Sequence, residues 1–305
     1  MKSSVEGIQS CVACGNPTHH FCKLPGSLDQ TGSLNKTDLI TYVQCVDCGT
    51  IQQNPLPSEL ELSKLVVAEY SHSDDRMSSE KDLSDSTEPQ HRIIVQVVAR
   101  EGIRDGVLEV GTGAGNLCAY LLENGIKVAG IDLSPELVAF AKQRGLPIKQ
   151  QNLKTITETE TLSAIIMSHV FEHLCDPADT LKHIHNLLKA GGIFLTSQPT
   201  AAMTNLLSRV TRLNRLHSES PFGISYLNLN RWHIVIYTIR GMNAIAAKQG
   251  FDLVEVIPMP SLKSNGLIGI VRRAYQIFNT LGERIFPKRW PFHVAHLFLF
   301  RKREL

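Results

Sequence analysis

The chain has 305 residues, of which 43% are hydrophobic and 20% charged, with 21 glycines and 14 prolines. These proportions are ordinary for globular proteins and exclude collagen-like, low-complexity and mostly disordered chains. No apolar run reaches the ~18 residues that a membrane-spanning helix needs. The first ten residues lack the basic start and apolar stretch of a secretory signal. The sequence therefore predicts a cytoplasmic protein of about two domains.

Charge is unevenly distributed although the net charge is only +2. Residues 1–90 hold 13 acidic and 6 basic residues, a balance of −7, whereas residues 262–305 hold 9 basic and 2 acidic residues, a balance of +7. This asymmetry leaves two interpretations open, an anionic partner near the C-terminus or a basic face that is simply solvated.

Two cysteine pairs in the N-terminal part predict a metal site. They are Cys11-Val-Ala-Cys14 and Cys45-Val-Asp-Cys48, and a glycine directly follows each pair. Two residues between thiolates let a tight turn aim both sulfurs at one ion, and glycine lets the backbone bend there. A reducing cytosol disfavours disulfides. We therefore predict one structural Zn²⁺ with four cysteine ligands, which leaves no open position for a catalytic water.

Three other residues near the cysteine pairs are weaker candidates for zinc ligands. Cys22, His19 and His20 lie between the two pairs and are alternative ligands. Cys118 and Cys175 are predicted to be small buried hydrophobic residues.

In chain order, residues 1–57 form the predicted zinc module, in which residues 39–43 alternate as a strand that leads into the second cysteine pair. Residues 58–89 form a linker, which begins with an amphipathic helix capped by Ser58. Residues 71–89 contain six serines and six acidic residues with only two apolar residues, so we predict a linker or mobile lid there.

Residues 90–305 form the predicted main domain, in which strands and helices alternate. The predicted strands cover residues 106–110, 127–132, 146–149, 162–167, 193–197, 251–257 and 293–300. The predicted helices cover residues 91–102, a stretch ending at 123, a stretch capped by Ser134, and residues 177–189, 203–216, 238–250 and 267–286. This alternation predicts an α/β fold with a doubly wound, mostly parallel sheet.

The last predicted helix has an apolar stripe that two interpretations explain. Apolar residues recur at helical spacing within 267–286, and Arg272, Arg273 and Arg284 lie off that stripe. We predict that the stripe packs in the core; peripheral docking on anionic lipid is the alternative.

The strand, turn and helix around residues 107–116 carry the main chemical pattern, E-x-G-x-G-x-G, with Glu109 at the strand end. A dinucleotide fingerprint would need glycine where Asn116 stands. Asp132 follows Gly111 by 21 residues at the end of the next strand, where an acid can hydrogen-bond a ribose diol. The pattern therefore predicts a nucleoside-type ligand at the carboxyl edge of the sheet.

This combination resembles the class I S-adenosylmethionine (SAM)-dependent methyltransferases, which have a Rossmann-like fold. The stretches 165–177 and 187–192 resemble the motifs around that family's fourth and fifth strands. The resemblance implies that the turn surrounds the methionine part of SAM, that Asp132 holds the ribose and that residues 151–153 lie near the adenine. The implied cofactor set is Glu109, Gly111, Thr112, Gly113, Gly115, Asp132, Leu133, Asn152, Leu153, Ser168 and His169.

The N-terminal part is similar to a narrower group, the zinc-knuckle methyltransferases that modify sugars and other small metabolites in bacteria. The stretches that carry this likeness are 42–49 and Asn54-Pro55-Leu56-Pro57. The sugar C-methyltransferases of that group are longer, with an added C-terminal domain. The expectation is therefore a related small-molecule acceptor, such as a sugar, a glycan precursor or a secondary metabolite.

Three residues are predicted to act on the acceptor. If the acceptor is a hydroxyl or a carbon acid, a base is needed, and His173 is the first choice, with Glu172 as its orienting partner. His233 is predicted to contact the acceptor. Packing and loop hydrogen bonds are the competing interpretations for each of these residues.

Two other functions were weighed against a small-molecule methyltransferase. An RNA methyltransferase would suit the basic C-terminal part, but the zinc module is acidic, so a nucleic-acid partner is disfavoured. A non-catalytic SAM-binding adaptor is disfavoured by the intact glycine turn with Asp132. We expect residues 203–237 to build the acceptor pocket and residues 71–89 to cover it.

Overall fold

The computed structural model describes residues 9–25, 39–62, 89–202, 204–206, 229, 232–260, 266–286, 290 and 292–304. The predicted lid, apart from its last residue, and most of the predicted helix 203–216 lie outside these residues.

Strands and helices follow one another as the sequence pattern predicts. The strands are β1 (Thr18–Pro25), β2 (Leu39–Cys45), β3 (Ile51–Gln53), β4 (Val107–Val110), β5 (Val128–Asp132), β6 (Ile148–Gln150), β7 (Leu162–Ser168), β8 (Leu188–Pro199), β9 (Val235–Ile236), β10 (Phe251–Pro258) and β11 (Ala295–Lys302). The helices are α1 (residues 89–100), α2 (Asn116–Glu123), α3 (Pro135–Gln143), α4 (Pro177–Leu187), α5 (Ile239–Lys248) and α6 (Gly266–Ile285).

A seven-stranded sheet in the order β10-β11-β8-β7-β4-β5-β6 forms the main body. The strands from β8 to β6 in this order pair in parallel, and β11 runs antiparallel to both of its neighbours. The predicted doubly wound, mostly parallel sheet is therefore confirmed.

Alternating side chains of the central strands build two core layers, one on each face of this sheet. All four residues of β4 are buried. Leu108 and Ile165 belong to one hydrophobic cluster, while Val107 and Ile166 belong to the other. Burial on both faces explains why these parallel strands are almost continuously apolar.

The starts of two helices confirm local predictions and fix the loops at the carboxyl edge of the sheet. Gly115, at φ +83°, precedes α2 directly after the glycine turn. Ser134 caps α3 by accepting a hydrogen bond of 3.3 Å from the Leu137 backbone N–H, and Pro135 is the first helical residue.

Strand β8 differs from its predicted bounds. The predicted helix 177–189 ends at Leu187, and the strand begins at Leu188 rather than at 193. Leu188 already pairs with Leu162 of β7, and the register shifts after this pair. The glycines at 191 and 192 therefore lie within an irregular strand and do not separate the helix from it, because β7 supplies the pairing that the sequence pattern does not reveal.

A smaller sheet in the order β1-β2-β3-β9 contains the N-terminal part of the chain. Strand β9 comes from the main domain and pairs antiparallel with β3 through Ile51 with Ile236 and Gln52 with Val235. The chain that follows His233 thus completes the sheet of the predicted zinc module.

Helix α6 has the predicted position, but the prediction that its apolar stripe packs in the core is wrong. Of the predicted stripe, Ile270, Phe278, Leu281 and Ile285 are exposed, whereas Asn279, which lies off it, is buried. The pattern gives the helix period correctly but cannot tell which face meets the protein. No helix among the described residues is long and apolar enough to cross a membrane.

Candidate cofactor and acceptor site

The glycine turn after β4 has the geometry of a close backbone approach to a ligand. Gly111, Gly113 and Gly115 all have positive φ, which favours glycine. A Cβ at Gly111 would lie 2.5 Å from Val170 Cγ2, and one at Gly115 would lie 2.6 Å from Leu146 Cδ1. Apart from its chain neighbours, no described residue has an atom within 4 Å of a Cβ built at Gly113. The outer glycines are thus needed for packing, and the middle one faces open space.

Two acidic side chains border this turn. Asp132 accepts hydrogen bonds from the backbone N–H groups of Gly113 (2.8 Å) and Ser134 (2.9 Å), one on each carboxylate oxygen. Each oxygen keeps a second lone pair, which suits a ribose diol. Burial raises the pKa of Asp132 in spite of these bonds.

Glu109 is almost fully buried beside Asp132. Burial and then the charge of Asp132 raise its pKa to about 8, and its Oε2 has no hydrogen-bond partner in the part of the chain that the structure describes. A buried carboxyl with an unpartnered oxygen, next to a second acid, suits a cationic ligand. The methionine part of SAM carries an ammonium and a sulfonium, so these residues fit that cofactor.

The residues predicted near the adenine have different surroundings. Leu133 is an exposed apolar side chain directly after Asp132. Asn152 accepts a hydrogen bond from the Lys154 backbone N–H at 2.9 Å and caps a short 3₁₀ turn. Leu153 is buried in the core, so its side chain anchors the loop by packing. Thr112 is also buried, with its methyl facing Gly130 across the turn.

Ser168 and His169 end β7 at the same edge. The Ser168 hydroxyl lies 2.9 Å from the Ser197 hydroxyl. His169 has φ +55°, which is rare for a residue with a side chain. Its Nε2 lies 3.2 Å from Gln90 Oε1 in α1, a contact that the sequence pattern did not predict.

Glu172 lies at the centre of three histidines and is only 1% exposed. Its Oε1 is 3.5 Å from His169 Nδ1 and 3.9 Å from His173 Nε2. Burial works to raise the pKa of Glu172, but the contact with His169 and the positive charges that His173, His169 and His233 carry when protonated outweigh burial, so the pKa is lowered. Neither carboxylate oxygen of Glu172 has a hydrogen-bond partner among the described residues. Glu172 is therefore a buried carboxylate held ionised by its histidine neighbours.

The backbone of Trp232 fixes the tautomer of His173. The Trp232 carbonyl oxygen lies 2.5 Å from His173 Nδ1. Because a carbonyl only accepts, Nδ1 carries a proton and donates it, and Nε2 is the basic nitrogen of the neutral ring. That nitrogen is on the side of Glu172.

His233 joins this cluster from a distant part of the sequence. Its ring centroid is 5.4 Å from that of His173. Ile234 N–H donates to the Glu172 carbonyl at 2.9 Å, which brings the two segments together. One ligand atom each from Glu172, His173 and His233 lies within 4.8 Å of the others. This group could hold a metal ion as well as a proton.

The four predicted zinc ligands converge. Cys11, Cys14, Cys45 and Cys48 place their sulfurs within 4.8 Å of one another, with Sγ–Sγ distances of 3.7 Å for Cys11–Cys48 and 3.4 Å for Cys14–Cys45. A tetrahedral zinc with Zn–S bonds of about 2.3 Å requires Sγ–Sγ distances of about 3.8 Å. The residues present therefore fit Zn²⁺, and the hydrogen bond with Cys48 and then burial raise the pKa of the Cys11 thiol.

The alternative ligands do not join this cluster. Cys22 is buried in β1 beside Phe21 and Leu24, in a hydrophobic cluster of its own sheet, and His19 is exposed. Cys118 is fully buried, as predicted, and Cys175 is partly buried against the core.

Helix α5 holds the cysteine site against the main domain. Thr238 Oγ1 donates to the Cys48 carbonyl at 2.6 Å, and Lys248 Nζ donates to the Cys14 carbonyl at 2.7 Å. A Cβ on Gly241 would lie 2.0 Å from Thr50 Oγ1. The sequence pattern predicts the four ligands and the helix itself, but not the contact between them, because the helix carries no metal-ligand motif.

Comparison with known proteins identifies the family. Residues 84–256, more than half of the chain, match the model of a family described as a methyltransferase domain. The chain belongs to this family. The structure of the magnesium protoporphyrin IX methyltransferase from Synechocystis, with bound S-adenosylhomocysteine, aligns with 78% of this chain and 99% of its own at a TM-score of 0.52 and 16% identity. The predicted class I methyltransferase fold is thus confirmed.

Further relatives match only parts of the chain. A probable SAM-dependent methyltransferase of Mycolicibacterium smegmatis is 28% identical over 133 residues, which are 43% of this chain and 51% of the relative. A ubiquinone biosynthesis O-methyltransferase of Xanthomonas oryzae is 33% identical over 100 residues, 30% of this chain and 42% of the relative. The structure of the 1,6-didemethyltoxoflavin-N1-methyltransferase of Burkholderia thailandensis aligns with 87% of this chain and 96% of its own, at a TM-score of 0.53 and 17% identity. The chain spans about half the length of the curated relatives it matches.

Proposed function

We propose that this methyltransferase domain transfers the methyl group of SAM to a small-molecule acceptor whose reacting atom gives a proton to His173. The observation that carries this proposal is the buried, ionised Glu172 beside a His173 ring whose tautomer is fixed, at the edge where the glycine turn lies. When bound, SAM supplies an activated methyl on a sulfonium that leaves as a neutral thioether. The residues of the chain must then align the acceptor and remove its proton.

The cofactor side of the site follows from the turn. Glu109 would face the cationic methionine part, and Asp132 would accept hydrogen bonds from the ribose hydroxyls. Gly113 leaves the space in which the ligand approaches the backbone. Leu133 and Asn152 border the side where the adenine is expected, and Ser168 and His169 border the side toward the acceptor.

The acceptor side depends on the charge of Glu172. His173 donates through Nδ1 to Trp232, so its Nε2 can take the proton of an acceptor hydroxyl or carbon acid. The imidazolium that forms lies 3.9 Å from the buried carboxylate, which stabilises it. His233, whose ring is next to that of His173, would contact the acceptor. The His173–Glu172 pair would thus move a proton without a further group.

Two observations favour a small acceptor. The matched relatives include an enzyme named for ubiquinone biosynthesis and one for 1,6-didemethyltoxoflavin, and both names denote small molecules. The N-terminal module, which an RNA enzyme would use for phosphate contacts, is acidic overall. The acceptor would be a sugar, a glycan precursor or a secondary metabolite.

The proposal is tested by methyl transfer from radiolabelled SAM to nucleotide-linked sugars, small phenols and total RNA. We expect label in a small-molecule fraction and no appreciable RNA binding at ~0.15 M salt. With the acceptor found, His173→Gln should lower kcat by about 10²-fold or more, because general-base catalysis contributes at least that much. SAM affinity should stay the same.

His19→Gln is the matched control, since His19 is an exposed histidine of β1. It should leave both kcat and SAM affinity unchanged. Full activity of His173→Gln would show that this ring is not the base, and tight, salt-sensitive RNA binding with label in RNA would replace the small-molecule acceptor by RNA.

A further inference from the structure

Helix α6 has the reverse of the usual polarity of a surface helix. Asn279 is buried and accepts a hydrogen bond of 2.8 Å from Trp290 Nε1. Glu283 Oε2 is 2.9 Å from His293 Nε2 on the same inner side. A helix of a globular protein ordinarily buries its apolar residues and exposes its polar ones. Here these polar residues attach the helix together with one aromatic ring, that of Phe278, which packs against Trp290 and Phe292. The other large apolar residues described on the helix are exposed.

These outward residues form one continuous surface, which we call the α6 apolar face. It consists of Ile270, Ile277, Leu281 and Ile285, which are 52% to 68% exposed. Their spacing places them on one side of the helix. The ring of Phe278, which packs against Trp290, borders it. Phe286, which follows the helix directly, is also more than half exposed. Contiguous exposed apolar surface of this kind marks an interaction site.

The charges around this face are positive. Arg273 and Arg284 are exposed and follow Ile270 and Leu281 by three residues each, so both lie along the same side of the apolar face. The single acidic residue of the sequence 266–285 is Glu283, whose contact is with His293 on the inner side. An apolar surface with a cationic border is complementary to a partner that has an apolar layer beneath an anionic outer layer.

The face stands beside the carboxyl edge that carries the proposed site. Strand β10 ends and β11 begins at the edge where β8 ends, because Pro258 pairs with His296 and Ala295 pairs with Pro199. Gln90 contacts His169 and donates to the Pro260 carbonyl, just after β10, at 2.9 Å. The Tyr275 hydroxyl of α6 donates to the Phe292 carbonyl, just before β11. Whatever binds α6 therefore lies on the acceptor side of the sheet.

We propose that the α6 apolar face docks on the surface of an anionic phospholipid membrane. An amphipathic helix inserts its apolar residues at the boundary of headgroups and acyl chains, while its basic residues meet anionic headgroups. A second copy of the chain is a poorer occupant, because a symmetric contact would bring the exposed arginines of both helices together without an exposed acid from either. The membrane supplies both the apolar layer and the negative charge.

The test is co-sedimentation of the full chain with vesicles of phosphatidylcholine, with and without about 30% phosphatidylglycerol. We expect binding to the anionic vesicles that weakens as salt rises and is at least about tenfold weaker on phosphatidylcholine alone. The variant I277E/L281E should bind the anionic vesicles at least about tenfold more weakly, since it places charge in the apolar layer. Its melting temperature should match the wild type, because both residues are exposed.

Val254→Glu is the matched control, since Val254 is an exposed apolar residue of β10 outside the face. It should bind the vesicles like the wild type. Equal binding of wild type and I277E/L281E would overturn the proposal. Absence of vesicle binding together with a dimer that I277E/L281E dissociates, measured by sedimentation equilibrium, would overturn it in favour of a second copy.

Discussion

At the scale of single residues, Glu109 makes cofactor binding depend on pH. Burial and the charge of Asp132 raise its pKa to about 8, so it is mainly protonated at pH 7 in the absence of ligand. A cationic ligand favours the ionised form, which means that binding must release a proton. The contribution of Glu109 to binding should therefore strengthen as pH rises and level off above about pH 8. Calorimetry of SAM binding at pH 7 in two buffers of different ionisation enthalpy measures the protons released.

Glu109→Gln removes this titration and keeps the shape of the side chain. We expect no proton release from residue 109 in the variant and a flatter dependence of affinity on pH. The ligand's own ammonium titrates near pH 8, but it does so with both proteins, so their difference isolates Glu109. Equal proton release by the two proteins would contradict the assignment of Glu109 to the cationic part of SAM.

For the residues on the acceptor side, the sequence predicts the side chains involved but not the contacts that orient them. The Glu172-His173 dipeptide is visible in the sequence, and so is its link to the glycine turn through family motifs. The Trp232 carbonyl that fixes the His173 tautomer and the Gln90 side chain that meets His169 are not visible, because a backbone acceptor has no residue signature. Contacts between residues 59 and 79 positions apart follow from packing, which a sequence pattern does not encode.

At the scale of elements, the contact between α5 and the cysteine site depends on a glycine. A Cβ on Gly241 would meet Thr50 Oγ1 at 2.0 Å and Cys48 Sγ at 3.4 Å. Gly241→Ala must therefore push α5 away from the loop, and overpacking of this kind costs about 1–3 kcal/mol. We expect a lower melting temperature, even though alanine is a better helix former than glycine.

The double variant with Thr50→Ala separates this clash from other effects. Removal of the Thr50 hydroxyl frees the space that the new methyl needs, so the double variant should recover part of the stability that Gly241→Ala loses. The interaction free energy from the double-mutant cycle should accordingly be favourable. Additive losses would show that α5 does not press on the loop at this point.

The elements also show where pattern reasoning succeeds and fails. Capping by Ser134 and the glycine turn are local, and both were predicted correctly because they depend on residues a few positions apart. The predicted start of β8 is wrong, and so is the prediction that the apolar stripe of α6 packs in the core. In each case the structure depends on a residue that the local pattern does not contain. Pairing with β7 sets the start of the strand, and the hydrogen bond between Asn279 and Trp290 holds the polar side of the helix inward.

At the scale of the whole molecule, the segment that carries His233 is joined to the sheet of the zinc module by strand pairing. Gln53 N–H donates to the Ile234 carbonyl at 2.9 Å, and β9 follows directly and pairs with β3. The Tyr42 hydroxyl donates to the His233 carbonyl at 3.4 Å. The turn after β4 and Asp132 after β5, by contrast, belong to the other sheet. The position of His233 should therefore depend on the zinc module more than the cofactor turn does.

This arrangement predicts that loss of zinc impairs the reaction with the acceptor but leaves the affinity for SAM nearly unchanged. Metal analysis should find one zinc per wild-type chain and none in Cys11→Ser, while Cys22→Ser, a buried cysteine outside the cluster, should keep its zinc. A second metal per chain that Cys11→Ser retains would place an ion at Glu172, His173 and His233 and replace the proton-transfer role of that group.

The functional consequence follows from the same contacts. In Cys11→Ser the loop that carries Cys48 loses its ion, so β3 and β9 lose their anchor and His233 loses the support of Tyr42. We expect KM for the acceptor to rise and kcat to fall, each by about tenfold, since misplacement of an acceptor by about 1 Å can cost that much or more. Calorimetric affinity for SAM should change by less than about twofold, because Asp132 and the glycine turn are held by the seven-stranded sheet. A parallel loss of SAM affinity would show instead that zinc supports the whole fold and not the acceptor side in particular.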